Sequence, residues 1–279
     1  ASSENLVISE LNYHPLGDVD GEQFIELLNV GNLPLDLRGV KFIDGVGFEF
    51  GGGTSEQLWS LLPGERFLLV EDLDEFAARY GNLPRVGTFS GDLSNDGEQI
   101  VLLTKNGAVI QQFTFNDQVP WPKGADGKGH SLVLIAPETI PDHKIGLNWR
   151  VSMIEGGTPG TSSALSFDGA AGEDSDGDGL GDLMEYALGG NFNDPDDGSS
   201  VPSLVRDGET IGLRFPLKIG TDDIIVFVER STNLKDWELA DDLSVSKREV
   251  PVDGREWREY AGGTGVPGGR FYRLKVTQR

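Results

Sequence analysis

Positions 174–185 read DSDGDGLGDLME, and no other stretch leaves the chain so few options. Asp174, Asp176, Asp178, Asp182 and Glu185 put five carboxylates into twelve residues. Crowded this closely, they repel one another unless a cation sits among them. Their spacing fits D-x-[DN]-x-[DN]-G-x5-E at every specified position. A loop of this pattern offers oxygens from positions 1, 3, 5, 7, 9 and 12, the set that calcium takes. Asp174, Asp176 and Asp178 fall at the first three of these. Gly179 permits the sharp turn at position 6, and Leu180 presents its backbone carbonyl from position 7. Asp182 can bind directly or through water from position 9, and Glu185 can bind with both oxygens from position 12. The expected metal ligands are therefore Asp174, Asp176, Asp178, Leu180, Asp182 and Glu185, and the expected ion is Ca2+.

The wider segment 166–200 carries ten acidic residues and no Lys or Arg. Such a run ordinarily reads as a self-repelling linker. Two features oppose that reading. The central acids have ligand spacing, and they lead straight into a helix predicted over 181–188. There Leu183, Met184, Ala187 and Leu188 are apolar, and Gly189-Gly190 is the stop. The stretch 167–172 is too rich in glycine for a helix before the loop, so this is half an EF-hand. Asn191 to Asp197 could add ligands or a second ion, but it lacks loop spacing and Pro195 interrupts it. The bound ion is expected to act structurally, stiffening the join between two domains. A calcium sensor needs paired hands and a groove.

On either side of this segment the chain reads as β structure. Its 279 residues suit two domains, and 39 Gly with 14 Pro suit many short strands joined by tight turns. Strands are predicted at 6–11, 23–29, 67–70, 86–89, 99–103, 109–115 and 132–135, with a hairpin over 41–50. Glu26 interrupts an otherwise apolar strand, so it either faces solvent or is held by a partner. A helix is predicted over 72–80. Leu73, Phe76, Ala77 and Tyr80 share one face, Asp72 is the N-cap with Glu75 at N3, and Gly81 stops the helix with positive φ. Beyond the acidic segment, strands are predicted at 211–217, 224–230, 248–252, 256–260 and 271–276. The strand at 224–230 is apolar on both faces and so is expected to be central.

The net charge is −23 and there is no cysteine. Disulfides, cysteine nucleophiles and zinc–thiolate sites are thereby excluded. So acidic a surface repels nucleic acid and anionic lipid heads, and favours divalent cations, basic partners or neutral glycans. No apolar run reaches membrane-spanning length, so no membrane insertion is expected. The chain has no initiating Met and no leader-like segment, so its natural N-terminus is expected to lie upstream.

Several ordered motifs of the first half carry a resemblance. They are LVISELNYHP, EQFIELLNVGNLPLDLRG, LLPGERFLLVED, YGNLPRVGTFSGDLSNDGEQIVLL, VPWPKGADGKGHSLVLI and GGTPG, spread from Leu6 to Gly160. Together they resemble the lamin-tail domain in its bacterial form. Val40-Lys41 departs from the family, which usually has Trp after the Gly. The resemblance implies an immunoglobulin-like sandwich serving as an accessory module of exported or surface proteins, and it carries over no catalytic residues. The stretch DSDGDGLGDLMEYALGGNFNDP resembles the calcium segments of dockerins and thrombospondin type-3 repeats. Dockerins carry two such loops and this chain carries one. The segments VERSTNLKDWELA and RFYRLKV resemble C-terminal β modules of exported bacterial proteins.

Other candidate sites compete with plainer explanations. His14, His130 and His143 have no metal-ligand spacing. No G-x-S-x-G elbow, P-loop or Rossmann glycine pattern occurs. A hydrolase could be imagined on His130-Ser131 or on Glu10 and Glu26, but such carboxylates more often bond to backbone amides. Trp59, Trp121, Trp149, Trp237 and Trp257 could form a sugar platform, with Trp121 the best placed, though aromatics in sandwiches are usually core. The expected architecture is all-β: a lamin-tail-like sandwich over 1–165, a calcium-binding connector over 166–200, and a smaller β domain over 201–279. The expected function is non-enzymatic: a calcium-stabilised interaction or spacer module of a larger exported or surface bacterial protein, outside the cell. Its protein or glycan partner is not legible, and a glycan-binding module is the alternative.

Overall fold

The computed structural model describes residues 1–17, 21–51, 59–197, 201–208, 210–264 and 269–279. Positions 198–200 of the predicted connector lie outside the described residues. The chain forms two compact units, Ala1–Ser163 and Ala164–Arg279.

In the first unit the strands are β1 (Leu6–Asn12), β2 (Phe24–Asn29), β3 (Leu35–Asp36), β4 (Lys41–Asp44), β5 (Phe48–Glu49), β6 (Ser60–Leu61), β7 (Arg66–Val70), β8 (Val86–Thr88), β9 (Gln99–Leu103), β10 (Val109–Thr114), β11 (Leu132–Leu134) and β12 (Trp149–Val151). One sheet has the order β12-β11-β1-β2-β7-β8, a second β10-β9-β4-β5, and β3 pairs with β6. A shared core joins the two larger sheets, with Ile8, Leu27, Phe67, Leu102, Phe113 and Trp149 among its members. This is the expected sandwich. The hairpin predicted over 41–50 is the antiparallel pair β4 and β5. Strands β3 and β6 were not predicted, because two-residue strands leave no periodicity to read, and neither was the three-residue β12.

Helix α1 (Leu73–Tyr80) forms as its caps dictate. Asp72 accepts from the amides of Asp74 and Glu75, and the Gly81 amide donates to Ala77 O with φ at 77°. Phe76 is fully buried and packs with Phe24, Leu68 and Val70 against β2 and β7. Burying that ring is worth about 2–3 kcal/mol.

The second unit has β13 (Ser203–Asp207), β14 (Thr210–Lys218), β15 (Ile224–Ser231), β16 (Glu238–Leu239), β17 (Ser244–Arg248), β18 (Arg255–Thr264) and β19 (Phe271–Gln278). Its sheets have the orders β13-β14-β18-β17 and β16-β15-β19. β15 is central in its sheet, as its two apolar faces require. Leu213, Phe215 and Leu217 of β14 share a core with Val228 and Leu274. The strand predicted at 248–252 is corrected: β17 ends at Arg248. Pro251 has no N–H to give a ladder. The Arg248 guanidinium is instead buried on Glu256, with Nη2 at 2.9 Å from Oε2.

Helix α2 (Asp182–Leu188) follows the acidic loop. Leu183, Tyr186 and Ala187 bury against Ile224, with Leu165, Phe167, Val226 and Val276 beside them. Leu188 joins the core that β14 shares with Val228 and Leu274. The Leu165 amide donates to Gly220 O at 2.7 Å, and the Phe167 amide to Asp223 Oδ2 at 2.6 Å. The segment 166–197 is therefore packed within the second unit and is not a body of its own. An apolar helix face needs a surface to bury it, and β14 of one sheet with β15 and β19 of the other supply it. Among the described residues no helix is long and apolar enough to cross a membrane.

Candidate metal centre

The loop before α2 is shaped by its own carboxylates. Asp174 Oδ1 accepts from the Gly177 amide at 2.8 Å, and its Oδ2 accepts from Gly179 at 3.0 Å. Asp176 and Asp178 accept in turn from the amides of Asp178 and Leu180. Gly177 and Gly179 take φ of 80° and 97°, which a residue with a Cβ adopts only under strain. The result brings one carboxylate oxygen from each of Asp174, Asp176 and Asp178 within 4.8 Å of one another.

Asp182 and Glu185 meet opposite fates. The Asp182 side chain is buried and committed. Its Oδ1 accepts from the Ser175 amide at 2.8 Å, and its Oδ2 accepts from Ser175 Oγ at 2.7 Å and the Ala170 amide at 3.2 Å. Burial works against its charge, but these hydrogen bonds hold the carboxyl below the usual carboxylate range. Glu185 is 0 % exposed, and neither of its carboxylate oxygens has a hydrogen-bond partner. Asp176 Oδ2 is likewise buried without a partner. Burial, and then the charges of Asp176, Asp178, Asp197 and Asp182, push the Glu185 carboxyl up to about 7. A buried carboxylate with no donor, close to further carboxylates, is one whose charge a cation can satisfy.

Of the six expected ligands, then, Asp174, Asp176 and Asp178 converge; Glu185 is not in that group, but its buried oxygens lie close enough to feel the charges of Asp176 and Asp178. Leu180 follows them in the loop. Asp182 braces the loop through Ser175 and Ala170. Ser175 had no signal in the sequence pattern, because the pattern leaves position 2 open. Asp197 is half-buried and accepts from the Asn191 amide, and its charge acts on Glu185.

The other candidates resolve into structure. Glu10 and Glu26 face each other across β1 and β2, next to a register shift between Ile8 and Glu10, and each is 1 % exposed. Glu10 accepts from Ser131 Oγ at 2.5 Å and from Thr158 N at 2.7 Å and Oγ1 at 3.1 Å. Glu26 accepts from Ser9 Oγ at 2.7 Å, Arg66 Nε at 2.9 Å and the Gly160 amide at 2.6 Å. Together they stitch the GGTPG segment onto the sheet. Burial, then Glu26, raises the Glu10 carboxyl to about 7. Glu26 is also raised, by burial, against the pull of Arg66. His130 Nδ1 lies 2.8 Å from Ser152 O, and the Ser131 hydroxyl is already given to Glu10. His143 is buried, which pushes it down to about 4, with Nε2 against the Ile8 backbone. His14 Nδ1 is 2.9 Å from Asp126. Trp121 and Trp149 pack on each other in the core, at 6 % and 0 % exposure, so Trp121 is no sugar platform.

Known families account for part of the chain. Residues 1–117 match the family model of the Lamin Tail Domain. The match runs from β1 through β10, and the immunoglobulin-like β-sandwich it describes is the architecture of the first unit. Beyond the matched residues, β11 and β12 extend the first sheet and the GGTPG segment bonds to Glu10 and Glu26. The second unit lies outside the match. No curated protein matches the chain.

Proposed function

We propose that the chain is a non-enzymatic interaction or spacer module of an exported bacterial protein, and that calcium stabilises its second unit. The observation that carries this reading is Glu185: fully buried, with both carboxylate oxygens unpartnered, beside the converging Asp174, Asp176 and Asp178. These residues fit a hard cation. Asp174, Asp176, Asp178, the Leu180 carbonyl and Glu185 would hold it, and Asp182 would keep the loop shut around it. The ion supplies positive charge and nothing else; it would tie the loop to α2, and α2 carries core side chains of the second unit. At calcium about 100-fold above Kd, binding contributes about 2.7 kcal/mol. Weak loops of this kind fill at the millimolar calcium found outside cells, which supports export. The lamin-tail unit supports an interaction role, and the commitment of Glu10, Glu26, Ser131 and the histidines to structural bonds supports the absence of catalysis.

Calorimetric titration of calcium into chelator-treated protein tests the proposal. One site per chain is expected, with heat lost in Asp174→Ala and Glu185→Ala. Absence of binding to the wild-type chain at millimolar calcium would dispose of it.

A further inference from the structure

We propose a second binding site, for a neutral saccharide, in a pocket of the second unit beside Trp237. It rests on observations independent of the calcium loop. The pocket has a volume of about 430 Å3 and is lined by residues 230–233 and 236–238 together with Arg270. That size suits a small polar ligand.

Its wall is preformed. Ser231 Oγ accepts from the amides of Asn233 and Leu234, at 3.2 and 2.9 Å. Asn233 Oδ1 accepts from the amides of Lys235 and Asp236, both at 2.9 Å, and Nδ2 donates to Asp236 Oδ2 at 2.7 Å. The Trp237 indole is held by the Arg273 guanidinium, 4.2 Å from the ring centroid, and Arg273 is itself anchored on Glu229 at 2.7 Å. Little ordering cost is left for a ligand to meet.

The lining chemistry selects the class. Arg230 donates Nε to Glu238 and is ion-paired through Nη1 with Asp241 and Asp242. Asp236 and Glu238 each have one oxygen used in these bonds and a second to offer. Thr232 stands exposed with a hydroxyl that can do either. Arg270 is tied to Asp242. The two guanidinium groups of Arg230 and Arg270 thus stand among four carboxylates, Asp236, Glu238, Asp241 and Asp242, a local charge of −2. An anion is repelled there, all the more by a chain of net charge −23. A cation has to enter beside the guanidinium groups of Arg230 and Arg270, and one indole face is already taken by Arg273. What remains is a mixed set of donors and acceptors around an aromatic ring. Vicinal hydroxyls, which donate and accept, satisfy such a set, while the C–H face of a pyranose packs on the indole.

The test uses the full chain in calcium-containing buffer and titrates cellobiose, maltose, lactose and mannobiose by calorimetry, with glucuronate and sialyllactose as acidic comparators. At least one neutral disaccharide is expected to bind, and to bind more tightly than either acidic probe. Trp237→Ala should weaken it at least about ten-fold. Trp237→Phe, which keeps a ring, should stay within about three-fold. Trp257→Phe, whose indole stacks on Arg214 instead, should change nothing. Melting curves establish that each variant is folded. No binding of any neutral probe by the wild-type chain, preference for the acidic probes, or unchanged affinity in a folded Trp237→Ala would each overturn the assignment.

Discussion

Glu185→Gln makes a prediction whose sign depends on calcium. In the ion-free protein the Glu185 carboxyl moves from its ordinary 4.5 up to about 7, chiefly through burial. Keeping it in the fold at pH 7 then costs about 3 kcal/mol without screening. Solvent reaching the exposed loop beside it lowers that to roughly 1–2 kcal/mol. Glutamine keeps the shape and removes the charge. In EDTA, Glu185→Gln should therefore melt higher than the wild type, by about 5 °C for a unit of this size. In millimolar calcium the order should reverse. The wild type gains about 2.7 kcal/mol at 100 times Kd, and the variant has lost the charged ligand and most of that gain. Differential scanning calorimetry at pH 7 in both buffers reads the crossing directly. If Glu185→Gln melts below the wild type by the same margin in both, Glu185 is a structural group and the reasoning from its unfilled oxygens fails.

Asp182→Ala strips the acceptor from Ser175 and Ala170 and should cost about 1–3 kcal/mol in EDTA and calcium alike, leaving a calcium-dependent rise in melting temperature. In the first unit, Gly157→Ala places a Cβ 2.4 Å from Glu10 Oε1 at a φ of 94°, so chemical denaturation should report a loss of about 2–4 kcal/mol. The Glu10–Glu26 pair makes a pH prediction. The Glu10 carboxyl is higher in the folded state, about 7 against 4.5, so the folded state binds the extra proton. The stability this gives is fully present below about pH 4.5 and is lost as pH rises through about 7, by at most about 1.4 kcal/mol per pH unit. Urea midpoints from pH 4.5 to 8 should show that decline in the wild type and a flatter profile in Glu10→Gln; parallel profiles would contradict it.

The parts of this molecule that could be read in sequence are those with a local cause. α1 announced itself through Asp72, its apolar face and Gly81. The turn-rich acidic loop before α2 announced itself through spacing alone. What escaped was non-local. Nothing near Glu10 or Glu26 says that Thr158 and Gly160 will come back to bond them; the only trace was the paired glycines of GGTPG. Trp121 was the best placed of the tryptophans for a sugar platform, and only the tertiary packing on Trp149 removes it. Asp182 fits the ligand pattern, but Ser175, at a position the pattern ignores, claims its oxygens first. The acidic segment looked like a connector because its composition lacks a core, yet α2 borrows the core of the β strands that follow it.

The sheet order of the first unit bears on how the chain is made. β1 lies between β2 and β11, and Glu10 pairs with Val133, 123 positions later in the chain (133 − 10). During synthesis, one edge of the first strand stays without its neighbour until nearly the whole unit has left the ribosome. An unpaired edge is a template for wrong pairing, and closing so distant a contact is slow. A fragment cut at residue 117, where the family match ends, would keep that edge open for good. It should aggregate, whereas a fragment ending at Ser163 should be purified as a monomer.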